Sequence, residues 1–362
     1  MPSYTYVDQP ARIIPAIETP DSIGVDTEFM REKTFYAELC LLQVSAGDDI
    51  FCVDPLGGHD MAAFWQSLSA RTWVVHSARQ DIEVIYQTAG TMPQQLFDTQ
   101  IAAALLGYQP QLGYAALVED LFDVSLPKAH TRANWAKRPI PDKFLDYAAE
   151  DVEYLLPAQQ LLAERLAEKG RYDWALADSA LMLDPALHTN DPATAVLRVK
   201  AAKNFRGARR RVAARLAAWR ETAAMQRNLP RQWIIRDNVL ADIAYRMPAS
   251  SGALAEIDGL PPKTARLIAA DILKEIELGQ TAQSAEEDPA AGCTSVPDEQ
   301  QKSVLQRMQK LVAECAGDLG LAAETIASRK ELAAVVVDGR RESRVFSGWR
   351  QELVGEQLAA LL

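Results

Sequence analysis

Asp26 and Glu28 stand two residues apart in Ile23-Gly24-Val25-Asp26-Thr27-Glu28-Phe29, a run that reads as a strand. Side chains alternate along a strand, so both carboxylates project from one face. Two like charges side by side repel, and the pair is either a solvated sheet face or one wall of a cation site. Asp151 shares with Phe144, Ala148 and Leu155 the 4-3-4 spacing of a buried stripe in a helix expected over Asp142–Leu156, a position that calls for Leu. A carboxylate there must be paired, protonated or bound to a cation. Tyr147 lies one turn earlier on the same face, whereas Asp146 and Glu150 point away and read as solvated acids. Asp81 opens a helix one turn before Ile85, which fits either the helix dipole or a cation site. One strand giving two carboxylates and two helices giving one each is a donor set for two hard divalent cations, Mg²⁺ or Mn²⁺.

The elements that carry these acids follow from the pattern. Short β-rich runs at Ser22–Phe29, Leu39–Ser45, Ile50–Val53 and Thr72–His76, with helical runs between and after them, predict an α/β domain over residues 1–185. Close spacing of the early strands favours antiparallel neighbours first and parallel pairing later, a mixed sheet. A helical stretch follows from Asp142 to about Lys169. Asp184–Thr194 has the Pro, Asn and Asp content of a linker, and Gly279–Gln301 forms a second polar break. Beyond the linker the sequence predicts two small all-helical units, about 205–280 and about 300–362.

The chain has 362 residues, 48% of them apolar and 24% charged, enough for real cores and too ordinary for disorder. No run reaches the length of a membrane-spanning helix, and Met1–Pro10 lacks the order of a signal peptide, so the expected compartment is the cytoplasm. Cys40, Cys52, Cys293 and Cys315 are too scattered for a zinc knot or a disulfide frame, and His59, His130 and His188 form no constellation. The net charge of −11 hides an asymmetry: residues 1–185 hold 13 basic and 27 acidic side chains, residues 186–362 hold 25 and 22. Val196–Arg236 alone carries 12 basic residues, among them Arg209, Arg210 and Arg211, against the single acid Glu221. Either this is a solvated helix face or it draws a polyanion toward the acidic domain.

Val25-Asp26-Thr27-Glu28, His76-Ser77-Ala78-Arg79-Gln80-Asp81 and Tyr147-Ala148-Ala149-Glu150-Asp151 together resemble the three motifs of DEDD-type 3′–5′ exonucleases of the Tyr subclass. Phe29-Met30-Arg31-Glu32 and Trp135-Ala136-Lys137-Arg138-Pro139 narrow the likeness to the ribonuclease D family, over residues 20–175. Leu216-Ala217-Ala218-Trp219-Arg220, Asn228-Leu229-Pro230 and Asp258-Gly259-Leu260 resemble the HRDC domain of that family, and residues 300–362 match a second, divergent one in size, helicity and position. The resemblance implies a ribonuclease H-like mixed sheet and removal of 5′-mononucleotides from RNA 3′ ends, notably tRNA precursors. It implies no organic cofactor.

On this reading Asp26, Glu28, Asp81 and Asp151 hold the two ions, and Tyr147 orients or deprotonates the attacking water. Phe29 either stacks on the terminal base or belongs to the core. His76 is either a satisfied structural residue or a substrate contact. Lys128, Arg132, Lys137 and Arg138 around Trp135 suit phosphate contacts. A DNA proofreading-type exonuclease and a catalytically idle RNA-binding scaffold are the alternatives.

Overall fold

The computed structural model describes residues 3–126, 133–281 and 297–362. The chain divides into two compact units, one of Met1–Met30, Ala37–Thr189 and Pro297–Leu362, the other of Arg31–Tyr36 and Asn190–Val296.

Six strands form the frame of the first unit: β1 (Thr5–Val7), β2 (Ser22–Met30), β3 (Glu38–Ala46), β4 (Asp49–Val53), β5 (Thr72–Val75) and β6 (Gln95–Asp98). They lie in the order β1-β4-β3-β2-β5-β6. β2, β3 and β4 pair antiparallel, whereas β2 with β5, β5 with β6 and β1 with β4 pair parallel, so the sheet is mixed as the strand spacing predicts. The β3–β4 hairpin closes through Gly47-Asp48 with Gly47 at φ +60°, a backbone that glycine adopts without strain.

Eight helices pack on the two faces of this sheet. Ile17 of α1 (Ile14–Glu18), Phe64 and Leu68 of α2 (Ala62–Ser69), and Ile82 and Ile85 of α3 (Arg79–Ala89) bury with Val25, Leu42, Trp73 and Val75. Ala102 and Leu105 of α4 (Thr99–Leu105), Leu117 of α5 (Tyr114–Phe122), Leu145 and Val152 of α6 (Asp142–Glu153), Leu162 of α7 (Leu155–Glu168) and Ala175 of α8 (Tyr172–Ala180) bury with Leu41 and Val74. The alternation of Trp73, Val74 and Val75 between the two clusters is the period-two signature of a sheet covered on both sides. The helix expected over Asp142–Leu156 ends at Glu153 instead. Pro157 cannot donate to the carbonyl four residues back, so α7 starts afresh after Tyr154.

Residues 297–362 do not make a separate core: Leu305, Met308, Val312 and Ala316 of the helix Glu299–Leu319 belong to the cluster that includes Leu162 and Ala175. An Asp298/Gln301 capping box opens that helix. Arg350, 2% exposed, grips Asp178 of α8 with two bonds of 2.6 Å, and Trp349 Nε1 donates to the same carboxylate at 3.1 Å. Trp349 stacks on Trp174 with ring centres 4.4 Å apart. Removing one partner of such a pair leaves a buried uncompensated charge. Asp178→Ala is therefore expected to cost about 3–5 kcal/mol in chemical unfolding, and a loss below about 1 kcal/mol would show that the tail is held by apolar packing alone.

The second unit is helical: α9 (Gly207–Arg227), α10 (Arg231–Ile234), α11 (Asp237–Arg246), α12 (Ser251–Ala255) and α13 (Pro262–Thr281). Val212 and Leu216 of α9 pack with Leu240, Ile243, Ile268 and Ile272. A Cβ at Gly279 would stand 2.8 Å from Val212 Cγ2, so only glycine lets α13 approach α9 there. Glu221 is 1% exposed and receives Arg198 at 2.8 Å and Arg231 at 2.6 Å. Arg220, buried, bonds Asp237 at 2.7 Å.

Candidate active site

Asp26 and Glu28 lie on β2, Asp81 in the first turn of α3, and Tyr147 and Asp151 one turn apart on α6. All five line one cleft of about 610 Å³. Phe29 and His76, also expected at the site, line it too, as do five residues that the site reading of the sequence does not include: Thr27, Ser77, Arg79, Gln80 and Tyr114. A register shift between Glu28 and Phe29 in the β2–β3 ladder turns the strand where it leaves the acid pair. Thr27, on the opposite face of β2 in an ideal strand, donates its hydroxyl to Asp81 at 2.5 Å.

Burial is the first cause of the unusual acidity of all four carboxyls, and repulsion among them is the second for Asp26 and Glu28. Asp26 is driven well above the ordinary carboxylate range by burial and then by Asp81, Asp151 and Glu28. Glu28 is pushed up to about 8 by burial, Asp151 and Asp81. Burial carries Asp81 to about 7 although the Thr27 hydroxyl opposes it, and Asp151 to about 7 although a hydrogen bond from Tyr147 opposes it. The Tyr147 phenol is raised by burial and by the charge and hydrogen bond of Asp151, so it remains a proton donor. Glu150, expected in solvent, is half-buried, with Oε2 lacking a hydrogen-bond partner and its carboxyl raised by burial.

Among the described residues, no three His, Cys, Asp or Glu side chains are gathered tightly enough to enclose an ion by themselves. The acids line a cleft rather than a closed shell. Their chemistry fits a hard divalent cation: every donor is a carboxylate oxygen, each is reluctant to ionise beside its neighbours, and Arg79 at the rim is the one Lys or Arg among the described lining residues. Gln43, opposite Asp26 in the ladder, is fully buried with neither amide atom bonded.

Other expected contacts have different roles. His76 has Nδ1 2.9 Å from Thr99 Oγ1 and Nε2 2.9 Å from the Leu112 carbonyl oxygen, so both ring nitrogens are engaged within the protein. Phe29 is half-buried and packs with Ala37, Leu39 and Val84 while facing the cleft. Trp135 is 4% exposed and belongs to the core. Arg138 bonds Asp54 at 2.5 and 2.6 Å, the Cys40 carbonyl at 2.6 Å and the Trp135 carbonyl at 2.7 Å, which makes it a brace and not a free phosphate ligand. Lys128, Arg132, His130 and Cys293 lie outside the described residues. Arg209 stacks on Tyr245, Arg210 is buried, and Arg211 donates to the Gly279 carbonyl at 3.0 Å. The triple-Arg run is thus largely scaffold.

The mixed sheet and the acid-lined cleft are those of a 3′–5′ exonuclease, and the model of the 3′–5′ exonuclease family matches residues 4–167, with an HRDC domain matching residues 209–276. The chain is 35% identical to the ribonuclease D of Acidiphilium cryptum over 94% of its own length and 87% of that protein's. It is 33% identical to the ribonuclease D of Xanthomonas oryzae over 95% and 93%. The crystal structure of Escherichia coli RNase D, described as an exoribonuclease involved in structured RNA processing, superposes with a TM-score of 0.86 at 28% identity, covering 99% of this chain and 98% of that one. The chain belongs to the ribonuclease D family, and it is a hydrolytic 3′–5′ exoribonuclease acting on RNA. Among the described residues no helix is long and apolar enough to cross a membrane.

Asp54 tests the reassignment of Arg138. Burial raises its carboxyl, but Arg138 and the Tyr6 hydroxyl outweigh that and hold it below the ordinary value. The stability this gives is complete above an unfolded Asp pKa of about 4 and is lost as pH falls through the lower native value. Arg138→Ala should cost roughly 2–3 kcal/mol at neutral pH and leave the RNA affinity of the folded protein within about twofold, as checked by unfolding and filter binding. Affinity lost at full stability would return Arg138 to the RNA.

Proposed function

We propose that Asp26, Glu28, Asp81 and Asp151 hold two divalent ions, Mg²⁺ or Mn²⁺, and that the enzyme releases 5′-mononucleotides from RNA 3′ ends, with tRNA precursors among its substrates. The observation that carries this reading is the convergence of these four acids and Tyr147, from one strand and two helices, on a single cleft. When bound, the ions supply Lewis acidity to the phosphoryl oxygens and to the attacking water. The oxygen of water bonds to phosphorus as the bond to the 3′ oxygen breaks; the released nucleotide keeps the phosphate at its 5′ position, and the shortened RNA ends in a 3′-hydroxyl.

The chain's own residues supply position. Tyr147, a phenol bonded to Asp151, orients or deprotonates the attacking water. Arg79, exposed at the rim, meets the phosphate of the departing nucleotide, and Phe29 presents a ring face to its base. Residues 1–185 form the exonuclease domain and 205–280 the HRDC domain, with 300–362 a divergent helical module fused to the nuclease. Exposed Lys200, Lys203, Arg227 and Arg236 of the helical unit attract the polyanion, in place of the braced Arg209–Arg211.

Digestion of a 5′-labelled, 3′-extended tRNA tests the reading. A ladder shortening from the 3′ end with Mg²⁺ or Mn²⁺, absent with EDTA and absent in Asp26→Asn and Asp151→Asn, is expected. Wild-type turnover in either variant would refute the ligand assignment. Tyr147→Phe should slow hydrolysis by about 10²-fold with RNA affinity preserved; an unchanged rate would leave Tyr147 structural.

A further inference from the structure

Asp81 reaches the cleft from a turn that cannot hold itself. Ser77 takes φ +65°, a left-handed backbone that costs a non-glycine residue about 1–2 kcal/mol. Ala78, the N-cap of α3, has no side chain to bond the free amides that follow. Asp98 at the end of β6 instead holds the two amides that lead into the helix, those of Ser77 and Ala78. Val75 and Asp98 are opposed in the parallel β5–β6 pair, so the Asp98 side chain arrives where β5 gives way to the turn. Its Oδ1 accepts the Ser77 N–H at 3.1 Å and its Oδ2 the Ala78 N–H at 2.9 Å. The same carboxylate caps α4 through the N–H groups of Gln100 at 2.8 Å and Ile101 at 3.3 Å. Asp98 is 3% exposed, and its own N–H donates to Ser179 Oγ at 3.1 Å. Thr99 extends the clamp, with Oγ1 donating to the Val75 carbonyl at 3.2 Å and lying 2.9 Å from His76 Nδ1.

We propose that Asp98 is a positioning residue for the hydrolysis: by bonding the amides of Ser77 and Ala78 it fixes the turn that sets the Asp81 carboxylate in the cation-binding cleft. The inference rests on the reading of Asp81 as a cation ligand. Four N–H groups on one buried carboxylate are charge-assisted bonds. A neutral side chain of the same size replaces acceptors with an amide donor that faces other donors, and the turn relaxes. Displacement of a reacting group by about 1 Å costs roughly 10²-fold in rate.

Asp98→Asn, the double variant Ser77→Gly/Asp98→Asn and Asp81→Asn of the full chain are compared by Mn²⁺ titration followed by electron paramagnetic resonance, RNA binding in EDTA, and single-turnover hydrolysis. For Asp98→Asn the expected result is Mn²⁺ affinity weakened by about tenfold or more, hydrolysis slowed by roughly 10–100-fold, and RNA affinity within about twofold of wild type. Glycine occupies φ +65° without strain, so the double variant should recover part of both losses; it also serves if Asp98→Asn alone folds poorly. Wild-type Mn²⁺ affinity and rate in folded Asp98→Asn, with Asp81→Asn impaired in both, overturn the positioning role alone. Wild-type behaviour of Asp81→Asn overturns the ligand reading beneath it.

Discussion

Like-charge repulsion in a poorly hydrated cleft is the constraint on which the nuclease unit depends. Two unit charges about 4 Å apart in an effective dielectric of about 20 repel by roughly 4 kcal/mol, and here four carboxylates share one space. An unstructured chain would never bring them together. The mixed sheet does so because β2 lies at its centre, between antiparallel β3 and parallel β5, with both of its ladder edges occupied. The helices that bring the other two acids are anchored in different cores: α3 through Ile82 and Ile85, α6 through Leu145 and Val152. Apolar burial on both faces therefore opposes a repulsion that would otherwise spread the acids apart.

Local polar bonds refine what packing begins. The Thr27 hydroxyl holds Asp81, Tyr147 bonds Asp151, and Asp98 fastens the turn that precedes α3. Each acts on an acid or on the backbone that carries it, and each leaves carboxylate oxygens facing the cleft. All four carboxyls are made harder to ionise by burial, and a positive charge in the cleft would offset that cost.

The acids were legible in the sequence because their signals are local. A strand period of two put Asp26 with Glu28, and a helix period put Tyr147 one turn from Asp151 in an apolar seam. Mixed pairing followed from strand spacing. What stayed hidden depends on partners far along the chain. Arg138 reads as a loop cation until Asp54, 84 residues away, takes it up. Arg209, Arg210 and Arg211 read as a basic surface because a charge count cannot see Tyr245 or the Gly279 carbonyl. Residues 300–362 read as independent because their apolar stripe looks the same whether it closes on itself or on α8; the Asp178–Arg350 pair spans 172 residues. Asp98 sits at a strand end where any capping acid is unremarkable, and only the positive φ of Ser77 reveals its second task.

Charge is divided along the chain as well: residues 1–185 carry 27 acids against 13 Lys and Arg, whereas residues 190–281 carry 16 Lys and Arg against 9 Asp and Glu. The most direct test of the account is the number of Mn²⁺ ions bound per chain, counted by electron paramagnetic resonance at neutral pH in wild type and Asp26→Asn. The account predicts two ions in the wild type and fewer in the variant, with the fold intact. Equal counts in the two proteins would contradict it.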